Sequence, residues 1–375
     1  MRAIIADQPT AALPSPAFEA WRETLRVAAL GHVSDFVDTH CVPQLQRTGI
    51  DIAPGVLTGL LGGGKCLRST FMYLGWRCGA GPDSEADTSD ADTAALRAAA
   101  GLELLQAFAL LQDDVMDDSP LRRGRPAAHV QFGDWHRNRR LSGSGERFGA
   151  ALAVLLSDLC LVWAEQMMRE SGVDSAALTR AWPHYDAMRV ELAVGQFADV
   201  ANDAGALPTL ESDLDVARRK SGNYTVRRPL EIGAAMAGRQ DLLGALGGYG
   251  EAIGEAFQLR DDLLGVFGST ELTGKPAGGD LAERKATSVV VAAQQMADQS
   301  VRRQFAELMS ADDLNAADIA RWRTLIAATG AVDLIEEMIA GRVAAAEGHI
   351  DDDRINDSVR SALFEMAAVC TLRAA

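Results

Sequence analysis

LLQAFALLQDDVMDDSPLRRGRP, residues 104–126, is an apolar run that ends in Asp113, Asp114, Asp117 and Asp118 and then meets Arg122, Arg123 and Arg125. The spacing of the apolar residues predicts a helix, on which Asp113 and Asp117 stand one turn apart with side chains about 5–6 Å from each other. Carboxylates that close resist ionising together unless a cation sits between them. A solvated helix end is the plain alternative, but acids crowded at a helix C-terminus oppose the macrodipole, and the arginines follow only after the helix should stop. The stretch therefore reads as a divalent-metal site for an anionic substrate, with guanidiniums nearby to hold phosphate oxygens in pairs.

A second apolar helix, AFQLRDDLLGVFG at 256–268, carries Asp261 and Asp262, 148 positions beyond Asp113. Two such helices facing each other across a deep cavity could share a metal cluster. The segments around them are helical too: 17–40, 93–117, 147–170, 175–200, 240–267 and the amphipathic run from Ser288 onward, broken near Ser310–Asp312, Gly330 and Asp351–Asp353. No segment alternates with period two convincingly, and no linker divides the chain. The expectation is an all-α, single-domain helical bundle around a central deep cavity, spanning 17–375 behind a disordered leader, 1–16, with prolines at 9, 14 and 16.

Composition narrows the partners. A formal charge of −16 over 375 residues argues against nucleic acid and anionic membrane surfaces. Any phosphorylated substrate must then be met by local cations, so clustered Lys and Arg carry more information than the overall balance. Five scattered cysteines form no CxxC pair, which fits neither a disulfide framework nor a zinc site and suits a reducing cytoplasm. The N-terminus lacks the pattern of a signal peptide. The longest apolar stretch, 150–164, is short for a bilayer and carries Asp158, so no stable membrane insertion is expected.

Several polar segments could hold an anion. LLGGGKCLR at 60–68 places Lys65 and Arg68 after a triple-glycine turn at the start of a helix, although a flexible turn reads equally well. It is not a P-loop, because Cys66 follows the lysine. ELAVGQFADV at 191–200 sets Glu191, Gln196 and Asp199 on an apolar helix, where each needs a partner or a ligand. Lys220 and Ser221 precede a Gly–Asn break, and Lys275 and Lys285 lie in the loop after the second acidic helix.

In this order and spacing, GGGKCLR, Gln106, DDVMD, RRGRP, GQFAD, KSGNYT, FQLRDD and GKPAGGDLAERK resemble the trans-isoprenyl diphosphate synthases of the polyprenyl synthetase family over roughly residues 30–350. The resemblance implies an isoprenoid-synthase-type bundle that joins an allylic diphosphate to isopentenyl diphosphate by ionisation, condensation and proton loss. It implies three Mg²⁺ ions, with Mn²⁺ able to substitute, and a homodimer. On the matching positions, Asp113, Asp117 and Asp261 resemble metal ligands, with Asp114 close by. Arg122, Lys220 and Lys275 match positions for the allylic diphosphate. Lys65, Arg68, Gln106 and Arg123 match those for isopentenyl diphosphate. Gln258, Gln196, Ser221 and Tyr224 resemble residues lining the reacting centre, and Lys285 the basic residue of a closing loop.

The sequence also departs from the family pattern. The second motif is DDLLG, so Gly265 supplies no third acid, and Gln112 and Ser69 stand where histidine and proline are frequent. Phe108, five residues before Asp113, could floor the chain-binding space while Ala109 leaves room above it; the resemblance then implies a C20 product, geranylgeranyl diphosphate. A class I terpene cyclase is the first rival, but it does not need the second diphosphate site that Lys65, Arg68 and Arg123 suggest. A non-catalytic subunit of another prenyl synthase is the second, and Gly265 gives it some support.

Overall fold

The computed structural model describes residues 13–79, 89–203, 208–268, 278–311 and 313–372. Most of them are helical, in two compact units between which the chain passes at 15/16, 183/184, 228/229 and 240/241. Because each unit is assembled from separated stretches, neither could be read off as one block of sequence.

The first unit comprises Pro16–Pro183 and Pro229–Gln240. Its axis is the helix Asp90–Met116, started by Ser89, whose hydroxyl accepts from the Asp92 backbone N–H at 3.0 Å. Asp92 is itself buried and accepts from Trp76 Nε1 at 2.9 Å, so one acid serves both the helix start and the neighbouring helix Leu67–Arg77. Helix Gly145–Arg169, capped by Ser144, packs along the axis, and Ala128–Asn138 packs on that helix in turn. Leu102, Leu104, Leu105, Leu111, Phe132 and Trp163 are buried in the resulting core.

The second unit comprises His184–Arg228 and Asp241 onward, with the described residues before Pro16. Leu243–Phe267 is its axis, flanked by Ala331–Ile350 and by Arg218–Arg227. Two buried charges on the axis are paired: Arg260 donates to both oxygens of Glu336 at 2.6 Å, and Glu255 accepts from Arg342 Nε at 2.7 Å. Removing one partner would strand a buried charge, at a cost of about 3–5 kcal/mol.

The helical reading of the sequence holds, with local corrections. The first helix begins at Pro16, and Ser15 N–H is bonded to Glu365 at 2.8 Å; residues 1–12 of the expected leader lie outside the described residues. KSGNYT is not a break but the middle of a π-helical stretch, Arg218–Arg227, a wider coil that often accompanies functional positions. RRGRP forms a two-residue antiparallel hairpin, pairing Leu121 with Pro126 and Arg122 with Arg125. Its turn residues Arg123 and Gly124 have φ of 52° and 73°, the pattern of a type I′ turn, and this replaces the strand-free expectation. The apolar run 150–164 is part of the 25-residue helix Gly145–Arg169. That helix and Asp90–Met116 are both long and apolar enough to cross a membrane by length and composition, as core helices of globular proteins can also be.

Glycines allow the closest approaches within each unit. A Cβ at Gly233 would lie 1.9 Å from the Met72 carbonyl oxygen, and one at Gly75 would lie 2.2 Å from that of Leu230, so these two helices touch backbone to backbone. Gly341, mid-helix, faces open space. Gly233→Ala is expected to destabilise by about 1–3 kcal/mol or more through overpacking, and Gly341→Ala to stabilise by about 1 kcal/mol through helix propensity. Thermal melts of the two variants check the opposite signs.

Candidate active site

In the first unit, the long helix ends at Met116 in a Schellman arrangement. Asp118 is left-handed with φ 49°, and Ser119 N–H reaches back to the Asp114 carbonyl at 3.0 Å. The chain then reverses through the hairpin, closed by Ala127 N–H to Pro120 O at 2.9 Å. This reversal returns Arg122 to the helix end. Its Nε donates to Asp114 Oδ1 at 2.8 Å, and its Nη2 donates to the same oxygen and to Asp113 Oδ2, the latter at 3.2 Å.

Burial pushes the Asp114 carboxyl up from its ordinary value, against the pull of Arg122, and the Asp113 charge adds to the rise. Burial opposes the charge of Arg122 as well, yet the two acids hold its pKa above the usual guanidinium range. Asp114 is almost fully buried, whereas Asp113 and Asp117 are partly exposed on the same helix face. Asp118 is fully exposed and belongs outside the set.

The basic set lies beside the glycine turn of the same unit. Arg123 Nη1 donates to Gly62 O at 2.9 Å and Leu60 O at 3.3 Å, fastening the hairpin to that turn. Cys66 takes a left-handed conformation, φ 49°, directly before helix Leu67–Arg77 and makes no side-chain cap bond. Such a backbone costs of order 1–3 kcal/mol and persists where surroundings demand it.

Glu103, which sequence reasoning passed over, organises this corner. It is buried, accepts from Ser69 Oγ at 2.7 Å, and approaches Gly64 so closely that a Cβ there would sit 3.3 Å from its Oε2. Burial lowers the Arg123 pKa, and the Glu103 charge is the leading influence opposing it. The available signal was a lone acid in an apolar run, three residues before Gln106. Gln106 is half-buried, and its Oε1 accepts no hydrogen bond among the described residues. Phe108 and Ala109 are half-buried on the same helix; the Phe108 carbonyl accepts from Ser157 Oγ at 3.1 Å.

The second unit carries the other acids. Asp262 is buried and committed: Ser288 donates to its Oδ2 from N–H at 3.0 Å and from Oγ at 2.6 Å, and Gln258 Nε2 donates to Oδ1 at 2.7 Å. It therefore anchors the start of helix Ser288–Met296. Burial pushes its carboxyl up to about 6, with those hydrogen bonds opposing the rise. Gln258 serves that anchor too and is half-buried. Asp261, its neighbour, is partly exposed.

Lys220, on the π-helical stretch, donates to Asp199 Oδ2 at 2.5 Å. Gly195 lets the two helical segments approach, since a Cβ there would lie 2.8 Å from the Lys220 backbone nitrogen. Asn223 and Arg228 both donate to Glu191, at 3.1 and 3.0 Å, which gives that acid its partners. Tyr224 is buried, and Ser221 and Gln196 are half-buried. Lys285 pairs with Glu283 at 3.2 Å, and Lys275 lies outside the described residues. Asp213, unremarked in the sequence, has a buried Oδ2 that accepts no hydrogen bond among the described residues. Burial, then the charges of Asp262 and Asp199, push its carboxyl up to about 8.

Among the described residues no three carboxylate, imidazole or thiol groups form a ready-made cage for an ion. Acids in ones and twos suit Mg²⁺, which commonly takes one or two carboxylates and completes its shell with water and substrate phosphate oxygens. The donor set is all hard oxygen, and it fits that ion.

Comparison with known proteins bears on the family and the fold. The family model described as polyprenyl synthetase matches residues 54–326. The geranylgeranyl diphosphate synthase of Mycobacterium tuberculosis is 30% identical over 77% of this chain and 75% of its own. The geranylfarnesyl diphosphate synthase of Aeropyrum pernix is 30% identical over 76% of this chain and 84% of its own. Among solved structures, geranylgeranyl pyrophosphate synthase from Corynebacterium glutamicum, complexed with isoprenyl diphosphate and magnesium, superposes with a TM-score of 0.86 at 34% identity, covering 93% of this chain and 99% of that one.

The raised Asp213 carboxyl has a measurable consequence. An unfolded aspartate ionises near 3.9, whereas this one keeps its proton in the folded state to about 8. Between those values the folded state binds the extra proton, so stability falls as pH rises through the window. Asp213→Asn is expected to raise the melting temperature of the metal-free protein at pH 8 and to leave it nearly unchanged below pH 4. Thermal melts at the two pH values test this.

Proposed function

The chain belongs to the polyprenyl synthetase family and is a prenyltransferase, and we propose that it condenses isopentenyl diphosphate with an allylic diphosphate to give geranylgeranyl diphosphate. The observation that carries this reading is the presence, within one unit, of an acid pair and a distinct basic set. Asp113 and Asp117 present carboxylates at one end of the long helix, while Arg123 is fastened to the glycine turn next to Lys65 and Arg68. Elongation needs two diphosphates held apart, and a cyclase needs one.

In this reading Asp113, Asp117 and Asp261 would hold Mg²⁺, which when bound would neutralise charge on the departing diphosphate. Arg122, Lys220 and Lys275 bind that same diphosphate through charge-assisted hydrogen bonds. Arg122 starts from its bonds to Asp113 and Asp114, so it is already oriented when the anion arrives. Lys220 is held likewise by Asp199. Lys65, Arg68, Gln106 and Arg123 hold isopentenyl diphosphate, with Glu103 fixing the corner from below. Gln196, Ser221 and Tyr224 line the space where the allylic carbon becomes cationic, and Lys285 closes it against water, which would quench the cation to an alcohol.

Phe108 is the proposed floor of the product channel. Relatives with similar identity are named for C20 and for C25 products, so the floor is the feature to test. Purified protein given Mg²⁺, isopentenyl diphosphate and C5, C10 or C15 starters is expected to yield a C20 diphosphate, and Asp113→Ala to lose turnover by at least a hundredfold. Phe108→Ala is expected to lengthen the product by one unit or more. A wild-type product of another length moves the floor elsewhere, and no elongation from any starter defeats the synthase reading.

A cytoplasmic homodimer completes the proposal. The five cysteines are all free and buried, as suits a reducing compartment. Val190, Val194 and Phe197 recur at helical spacing and are exposed, Phe197 at 81%, forming an apolar stripe that a second copy would cover. Phe197→Glu is expected to shift the sedimentation coefficient from dimer toward monomer, and an unchanged value would remove this stripe from the interface.

A further inference from the structure

The DDLLG motif lacks the acid that would stand one turn after Asp261, and the second unit shows what occupies that place. A Cβ built on Gly265 would lie 1.8 Å from Asp280 Oδ2, 2.5 Å from its Cγ and 3.2 Å from Oδ1. The Asp280 carboxylate thus rests directly against the bare backbone of Gly265. Side chains four residues apart on a helix are neighbours, about 5–6 Å apart, and Gly265 is four residues after Asp261. A carboxylate lying over Gly265 therefore stands beside Asp261, much as an acid at position 265 itself would.

The surrounding chain explains how it gets there. Gly278 turns with φ 76° in a space that a Cβ could not share with Ile319 Cγ2, 2.6 Å away. Gly279–Ala282 then forms one helical turn, and Lys285 N–H binds the Asp280 carbonyl at 2.8 Å. Asp262 cannot substitute, because Ser288 and Gln258 take up both of its oxygens.

We infer that Asp280, seated over Gly265, supplies the carboxylate that the second acidic motif lacks and acts with Asp261 to hold the divalent cation on this helix. Gly265 is then a required vacancy: even a methyl group there displaces the carboxylate. The inference rests on the reading of Asp261 as a metal ligand, and the test separates the two.

Full-length protein is titrated with Mn²⁺ alone, with the free ion followed by electron paramagnetic resonance. Asp261→Ala marks the part of the isotherm that belongs to this helix. Asp280→Asn and Gly265→Ala are each expected to weaken that same part about tenfold, the usual scale for losing a supporting group at a metal site. The transposed double variant, Gly265→Asp with Asp280→Gly, is expected to restore it, which a merely structural role for Asp280 would not predict. Wild-type binding in Asp280→Asn alongside weakened binding in Asp261→Ala overturns the inference alone, as does failure of the transposed variant to recover. An unchanged isotherm in Asp261→Ala overturns the inference together with the ligand assignment beneath it.

Discussion

Two carboxylates at the negative end of a 27-residue helix are the constraint from which the first unit follows. Asp113 and Asp114 repel each other and face the partial negative charge of the helix terminus. The fold answers with one guanidinium. To bring Arg122 back to the helix end, the chain must stop the helix sharply, reverse within a few residues and hold the reversal rigid. The left-handed Asp118, the Schellman bond from Ser119 and the short hairpin each meet one of those demands. The hairpin in turn fastens the glycine turn through Arg123, so the basic corner inherits its position from the acidic one.

The second unit meets the same problem differently. Its axis carries adjacent acids, but one is spent internally: Asp262 anchors helix Ser288–Met296 and leaves Asp261 to face outward. Two neighbouring letters thus part ways, one spent on an internal anchor and one left partly exposed. Asp199, Asp213 and Asp280 crowd the same region. Lys220 is the cation paired with Asp199, and Asp213 keeps its proton to about 8 because burial, then the charges of Asp262 and Asp199, disfavour its ionised form.

The helical periods, the two acidic motifs and the cationic segments were legible because each depends on local spacing along one helix. Helix ends were legible where a chemical reason was local, as at Ser310, Gly330 and Asp351. What was hidden depends on distant partners. Glu103 reads as one acid in an apolar run until Ser69 and Gly64 surround it. Gly265 reads as a defect until Asp280, fifteen residues on, fills its place. The π-helical stretch was also hidden, since Gly222 resembles a helix break in sequence but in the fold meets Gly254, where a Cβ would lie 2.9 Å from its backbone carbon.

The hairpin carries one more consequence. Arg122 ends the first strand, and Arg123, left-handed at φ 52°, opens the turn, so the two neighbouring side chains leave in different directions. One turns to Asp113 and Asp114, the other to the carbonyls of Leu60 and Gly62. A single peptide bond therefore divides two contacts, one with the acidic helix end and one with the glycine turn. The arrangement depends on register rather than on either arginine alone. Adding or removing one residue in the turn would carry Arg123 away from the glycine turn while leaving the composition of the segment almost unchanged.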